Sequence, residues 1–212
     1  MKKEKMTWVA LVFIIAFILW TVAVQYVDVR TIGPENTRVG FAAVNLAFHQ
    51  LTGQHWSLYI LTDWLSILPL AFAAGFAVLG FKQWILRKRI RKVDRSLLCL
   101  GGMYIVLGIL YCLFERIVIN YRPVLIEGRL EASYPSSTTL LVLCIIPTAV
   151  LQYRQRIRSR WLRQVITIVL IGFGGLMVVG RMICGVHWFT DIIGALLLSA
   201  GLVGLYVRLT EG

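Results

Sequence analysis

Arg181, His187 and Asp191 stand in the run from Gly180 to Asp191, at the outer edge of two apolar segments. Ionisable residues beside a bilayer core are costly, so their default reading is functional. Two upstream runs carry related chemistry: Arg116 to Pro123, with Arg122, and Ser133 to Thr139, with the turn Pro135-Ser136-Ser137. Guanidinium forks match phosphate oxygens and stay protonated. Backbone N–H groups around Ser136–Thr138, at the start of a helix, could add an anion site. His187 and Asp191 are one helical turn apart and share a face, so the carboxylate can fix the imidazole tautomer. A lone His/Asp pair at this spacing is structural more often than catalytic, and a lone arginine is commonly a snorkelling residue. Arginines converging from separate segments onto such a pair point instead to a phosphate group.

These three motifs resemble those of the type 2 phosphatidic acid phosphatase (PAP2) superfamily of membrane phosphatases. That family carries Lys-x6-Arg-Pro, then Pro-Ser-Gly-His, then Ser-Arg-x5-His-x3-Asp. The third motif matches at Arg181, His187 and Asp191, with Gly180 in place of serine. The first matches at Arg122 and Pro123; Glu115 holds the lysine position, and Arg116, one residue later, is the expected substitute. The second matches at Pro135 and Ser136, with Ser137 for glycine and Thr138 for histidine. The resemblance covers about residues 96–208. It implies that His187 is a nucleophile forming a phosphohistidine, oriented by Asp191. It also implies that Arg116, Arg122, Ser136, Ser137 and Arg181 bind phosphate.

Thr138 breaks this scheme, because the family's histidine there protonates the departing alkoxide. Threonine does not titrate near neutral pH, and loss of a general acid typically removes about 10²–10⁴-fold in rate. Three accounts are open: an engineered inactive variant made to trap a ligand, a natural pseudo-phosphatase, or compensation by water or a good leaving group. The rest of the site is intact, which favours the first. The function expected is therefore a low-activity or inactive form of a lipid phosphatase. Its substrate class would be polyprenyl diphosphate, phosphatidic acid, lysophosphatidic acid or phosphatidylglycerol phosphate, and the alternative is a lipid-phosphate-binding protein without turnover. A small transporter is disfavoured, since no inverted repeat and no mid-span charges are apparent.

The elements that must position these residues are membrane helices. The apolar fraction is 58% and mean hydropathy is +0.77. Six stretches, roughly 7–27, 57–81, 96–114, 137–153, 164–180 and 189–207, approach the length needed to cross a hydrocarbon core. The expected fold is an all-α six-span bundle forming one domain over residues 1–212. Pro147 and the Gly172, Gly174, Gly175 cluster can be accommodated in buried membrane helices.

The net charge of +12 raises nucleic-acid binding as a class, but its distribution argues against it. Lys2, Lys3 and Lys5 precede the first span; seven basic residues lie between Lys82 and Arg95, and five between Arg154 and Arg163. Those are the three loops on one side of a six-span chain. Positive loops face the cytoplasm, so both termini are expected inside and all three motifs outside. A bacterial plasma membrane is the expected location. Attraction of anionic lipids is a further expected role of the basic loops. No cleavable signal peptide is evident.

No cluster of metal-ligand type is visible, so neither metal nor cofactor is expected; His49 and His55 lack an acidic or cysteine partner nearby. Cys99, Cys112, Cys144 and Cys184 are scattered through apolar sequence and read as small buried residues. In the outer segment 28–56, Phe41, Val44, Phe48 and Leu51 recur at helical spacing, and a helix is expected over about 37–52 with Asn36 as its cap. It would lie on the membrane surface or pack over the bundle. Residues 117–135 read as an irregular loop in which Glu127 and Glu131 are solvated. Asp63 is read as sitting at the outer interface or facing the bundle. Oligomeric state is not legible.

Overall fold

Long apolar runs become helices here because a chain in lipid must satisfy its own backbone hydrogen bonds. A computed structural model describes residues 2–210, with side chains described from Glu4 onward. Lys2 and Lys3 of the basic N-terminal flank therefore have side chains outside the described ones. The helices are α1 (Lys2–Tyr26), α2 (Ala42–Thr52), α3 (Trp56–Leu65), α4 (Ile67–Arg87), α5 (Arg95–Arg116), α6 (Ser137–Arg156), α7 (Arg160–Ile183) and α8 (Phe189–Thr210). With α3 and α4 taken as one span, six are long and apolar enough to cross a membrane. The expected six-span bundle is the observed fold. The helices outrun the apolar stretches at several ends, because helical hydrogen bonding continues into the polar flanks after hydropathy has fallen.

The second span is broken in a way its hydropathy does not reveal. Pro69 has no N–H to offer the Leu65 carbonyl, so the ladder is interrupted at Ser66. The Ser66 hydroxyl and N–H instead return to the Asp63 carbonyl. α3 thereby packs against α7, with Thr62 so close to Gly180 that a Cβ there would come within 2.8 Å of the threonine methyl.

α6 is the most buried span and forms the centre of the bundle, against α7 and α8. Its Pro147 is tolerated within the helix, and the neighbouring Thr148 hydroxyl donates back to the Cys144 carbonyl at 2.8 Å. α1 packs along α8 through small residues: Gly201 faces Ile14, and Gly204 faces Ala10. Close backbone approach of this kind replaces the hydrophobic drive that lipid cannot supply. Trp8, Leu19, Ile168 and Leu176 remain exposed on the outside, as a lipid-facing surface requires.

The outer segment departs from expectation in its start and its cap. Residues Arg30–Thr31 (β1) and Arg38–Val39 (β2) pair as a two-stranded antiparallel ribbon, so the helix begins at Ala42 rather than near residue 37. Asn36 lies in the turn of that ribbon with a positive φ and caps nothing. The cap comes from Asp28, fifteen residues away in the contact it makes: its carboxylate accepts Ala43 N–H at 2.8 Å and its carbonyl accepts Ala42 N–H at 2.9 Å. α2 then packs over the start of α8, with Phe48 on Phe189 and His49 on Trp188. Asn45 is fully buried and bonds both Gly40 O and Thr190. The helix packs over the bundle and still exposes Val44 and Leu51.

The loop 117–135 is irregular, as its Pro and Gly content implies, with two isolated bridges, Tyr121 with Ala132 and Ile126 with Arg129. The cysteines are all free; Cys144 and Cys184 are buried, but Cys112 is exposed on the outer face of α5.

Candidate active site

Helix ends bring the motif residues together at one end of the bundle. Arg122 follows α5, Ser133 to Thr138 lead into α6, Arg181 sits in the last turn of α7, and His187 and Asp191 flank the start of α8. The basic loops 87–95 and 154–163 join the helices at the opposite end.

His187 is buried, with Nε2 3.4 Å from Arg122 Nη1. Its Nδ1 faces Ser133 Oγ at 3.5 Å and Asp191 Oδ2 at 3.7 Å. Both distances exceed an ideal hydrogen bond, and catalytic contacts of this kind often tighten only when substrate is bound. Asp191 is fully buried and accepts from Ser133 Oγ, from Trp188 N–H at 2.8 Å and from Asn120 Nδ2 at 3.4 Å. The carboxylate thus works on the imidazole partly through Ser133. A proton on Nδ1 is drawn toward Ser133 and Asp191, which leaves the Nε2 lone pair aimed at the Arg122 guanidinium. An anion held by that guanidinium would lie in front of a nucleophilic nitrogen. Burial, followed by the positive charges of Arg122 and Arg181, holds the His187 pKa well below its ordinary value. These effects favour the neutral imidazole over the charged one.

Arg181 is 1% exposed. Nη2 donates to Thr138 Oγ1 at 2.8 Å and Nη1 to Thr62 Oγ1 at 3.4 Å. Asp63 Oδ1 lies 3.6 Å from Nη2, and the Tyr59 ring lies under the guanidinium at 5.0 Å. Its Nε has no hydrogen-bond partner. Arg122 is also buried; its Nε is 3.1 Å from Glu131 Oε2 but lacks hydrogen-bond geometry to it. Ser136 is buried, donates its hydroxyl to Thr139 and ties its N–H to Asp191 O at 3.2 Å. The first intrahelical acceptor of α6, Ser136 O, takes Leu140 N–H. The N–H groups of Ser137, Thr138 and Thr139 precede it and are unbonded among the described residues, as the first turn of a helix leaves them. Donors without hydrogen-bond partners on two arginines and one helix start thus lie at the same end of the bundle as the imidazole.

Arg116 is the expected residue that the fold does not bring in. It ends α5 exposed, and forms no hydrogen bond or ion pair with the cluster. Adjacent helical residues point about 100° apart, so a side chain one position on cannot occupy the direction of its neighbour. Glu115, not Arg116, faces the cavity beside the site. Glu131, read as a solvated loop charge, is the partner of Arg122. Asp63 is exposed at the end of the bundle that holds the motif residues and reaches Arg181.

Thr62, Tyr59, Asn120 and Ser133 carry no sequence signal of their own. Asn120 and Ser133 do fall inside the two upstream runs, which is the only pointer to them.

A cavity of about 390 Å³ opens between α4, α5 and α6. Leu70, Leu107, Leu140 and Leu141 line its apolar depth, and Ser133 and Thr138 stand at its polar end.

The family model of the PAP2 superfamily matches residues 96–212, more than half of the chain. The chain belongs to the PAP2 superfamily. No curated protein sequence matches it significantly. Among solved structures it is similar to the first transmembrane PAP2 type phosphatidylglycerolphosphate phosphatase from Bacillus subtilis, with a TM-score of 0.63 over 96% of each chain at 16% identity. At that identity the likeness is one of fold. Membership of the superfamily places the chain, at family level, among membrane lipid phosphatases, and its six apolar helices make it an integral membrane protein.

Proposed function

We propose that this PAP2 protein binds the phosphate or diphosphate headgroup of a membrane lipid and that Thr138 leaves its turnover low or absent. The observation carrying this reading is the buried His187 with Arg122 3.4 Å from Nε2, at the same end of the bundle as the partnerless Arg181 Nε and the free N–H groups that start α6. Phosphate in that cradle has its charge spread over fixed donors, which is where phosphoryl transfer draws most of its catalysis. His187 would attack in line, its N–P bond forming as the P–O bond to the lipid breaks and the lipid oxygen departs, with the emerging imidazolium stabilised by Asp191 through Ser133. Water would then cleave the phosphohistidine and release inorganic phosphate. The apolar cavity between α4, α5 and α6 would take the lipid tail sideways from the bilayer while the headgroup meets Thr138 and Ser133.

Thr138 accepts a hydrogen bond from Arg181 and can position that arginine, but its hydroxyl is too weak an acid to protonate a departing alkoxide efficiently. Chemistry would therefore stall on poor leaving groups. The reaction needs no metal in this scheme, because the positive charge comes from arginine. Positive loops at the opposite end favour the site facing outward from the cytoplasm, both termini inside, and anionic lipid around residues 87–95 and 154–163. A cysteine at Arg30 should label with a membrane-impermeant reagent in intact cells, and one at Ile90 should not; the reverse pattern overturns the orientation.

The deciding experiment is phosphate release from phosphatidic acid, phosphatidylglycerol phosphate and a polyprenyl diphosphate in nanodiscs, by the parent chain and by Thr138→His. The variant should gain about 10²–10⁴-fold on the monoesters, the range of general-acid catalysis, and less on the diphosphate. Phosphate binding without turnover in either protein would favour the second reading, a lipid-phosphate-binding protein, for which Thr138 is the specific support. Chelators should leave any activity unchanged.

A further inference from the structure

We infer that Asp63 is a resident counter-ion of Arg181, holding the place of the phosphate group whenever no phosphate is bound and giving way when it arrives. The inference rests on the phosphate-binding role proposed for Arg181. It starts from an asymmetry of burial: the Arg181 side chain is 2% exposed and that of Asp63 is 59% exposed. A buried cation without an anion is costly, so an empty site needs a partner for this guanidinium. Thr62 and Thr138 supply neutral acceptors and Tyr59 a ring face, but among the described residues only Asp63 pairs opposite charge with it.

The pair is built to be temporary. At 3.6 Å it is an ion pair rather than a hydrogen bond, and an exposed carboxylate keeps most of its hydration. Such wet pairs contribute little stability. A phosphate offering two oxygens to the guanidinium fork forms stronger charge-assisted bonds and wins the competition. Two anions crowded on one guanidinium repel, so Asp63 turns into solvent as phosphate arrives and returns as inorganic phosphate leaves. The break at Ser66 ends α3 two residues beyond Asp63, and the Thr62 contact with Gly180 keeps that turn beside Arg181 throughout. Glu131 differs in kind: its backbone carbonyl also accepts Arg122 N–H at 3.0 Å, which fixes it to the arginine it neutralises.

The test uses the full chain in detergent and inorganic phosphate as the probe, with affinity read by calorimetry. Asp63→Asn should bind phosphate about two- to fivefold more tightly, the size of a solvent-exposed ion pair. Asp63→Glu, which keeps the charge, should return affinity toward that of the parent. In the Thr138→His background, Asp63→Asn should lower KM, and inorganic phosphate should inhibit at proportionally lower concentration. A folded Asp63→Asn protein that binds phosphate equally or more weakly overturns the inference and leaves the phosphate site standing. A parent chain whose phosphate binding is absent, or insensitive to Arg181→Ala, overturns the phosphate site and the counter-ion with it. Should Asp63→Asn not fold, Asp63→Ser carries the same expectation.

Discussion

Both ends of the bundle set arginines against carboxylates, yet they differ in what is left over. At the end with the basic loops, Asp94 accepts from Gln83 at 2.7 Å and Arg87 at 3.0 Å, and lies 3.5 Å from Arg156. Arg156 continues to Gln152, and Gln152 to Tyr206. None of these groups is a buried atom without a partner. At the other end Asp191 is saturated in the same way, but Arg181 Nε has no hydrogen bond and Arg122 Nε is only loosely met. One end completes itself with protein groups and so holds helices together. The other completes its carboxylate and leaves its cations short, which is what the proposed phosphate site calls for.

The contrast is tested most severely at the imidazole. In the Thr138→His protein, His187→Ala should remove the whole gain in phosphate release, about 10²–10⁴-fold, because the nucleophile and the proton donor act as one unit. Residual turnover at the Thr138→His level would detach His187 from the chemistry.

Next in size is the loss of the cations. Arg181→Ala or Arg122→Ala should weaken inorganic phosphate binding by about 1.5–3 kcal/mol, the scale of a charge-assisted hydrogen bond. Lysine at either position should recover only part of it, lacking the planar fork. Equal affinity in a folded Arg181→Ala protein would make the two ends equivalent and remove the argument from unpaired donors.

Acid should separate the two ends further. His187 has a lowered pKa in the folded protein, so below its ordinary value of 6.5 the unfolded chain binds the proton that the folded one refuses. The contribution of His187 to stability then rises with pH in that window, and falls as pH drops below 6.5 toward the lowered value. Unfolding midpoints of the parent protein, measured against those of His187→Asn, should fall as pH drops from 7 to 5. Asp94 behaves oppositely in range: Gln83 first, then Arg87, holds its carboxyl below the usual 3.8, so its contribution is present above that value and is lost only as pH falls through the lowered one.

The smallest effect belongs to the completed end. Asp94→Asn should cost at most about 1 kcal/mol, since the carboxylate and its arginine partners are part-exposed, and should leave phosphate affinity unchanged. A change in phosphate affinity would mean the ends communicate.

The spans and the three motif runs were legible because each depends on local facts: apolar length, side-chain type and spacing. His187, Asp191, Arg122 and Arg181 meet as their spacing and family resemblance imply. Arg116 does not, because a one-residue offset on a helix is a change of direction that a motif alignment cannot register. Asp63, Thr62 and Tyr59 were not legible as site residues, since what brings them to Arg181 is the break at Pro69 and the packing of α3 on Gly180. The Asp28 cap escaped for the same reason: the sequence offers Asn36 near the helix start, and the ribbon turns it away.

Gly185 has a positive φ, and a Cβ there would fall 2.1 Å from the carbonyl oxygen of Gly53, while His55 N–H bonds Cys184 O at 2.9 Å. The turn carrying the imidazole is thus cast against the joint between α2 and α3, in the portion of the chain that precedes residue 96. The region recognised as the family domain is for this reason not a self-sufficient module. Grafting residues 96–212 onto another pair of leading helices would leave His187 on an unsupported turn and Arg181 without its threonine and carboxylate neighbours from α3. Exchange between relatives would have to move both portions together, and divergence in the leading helices is constrained by the shape of a loop more than a hundred residues downstream.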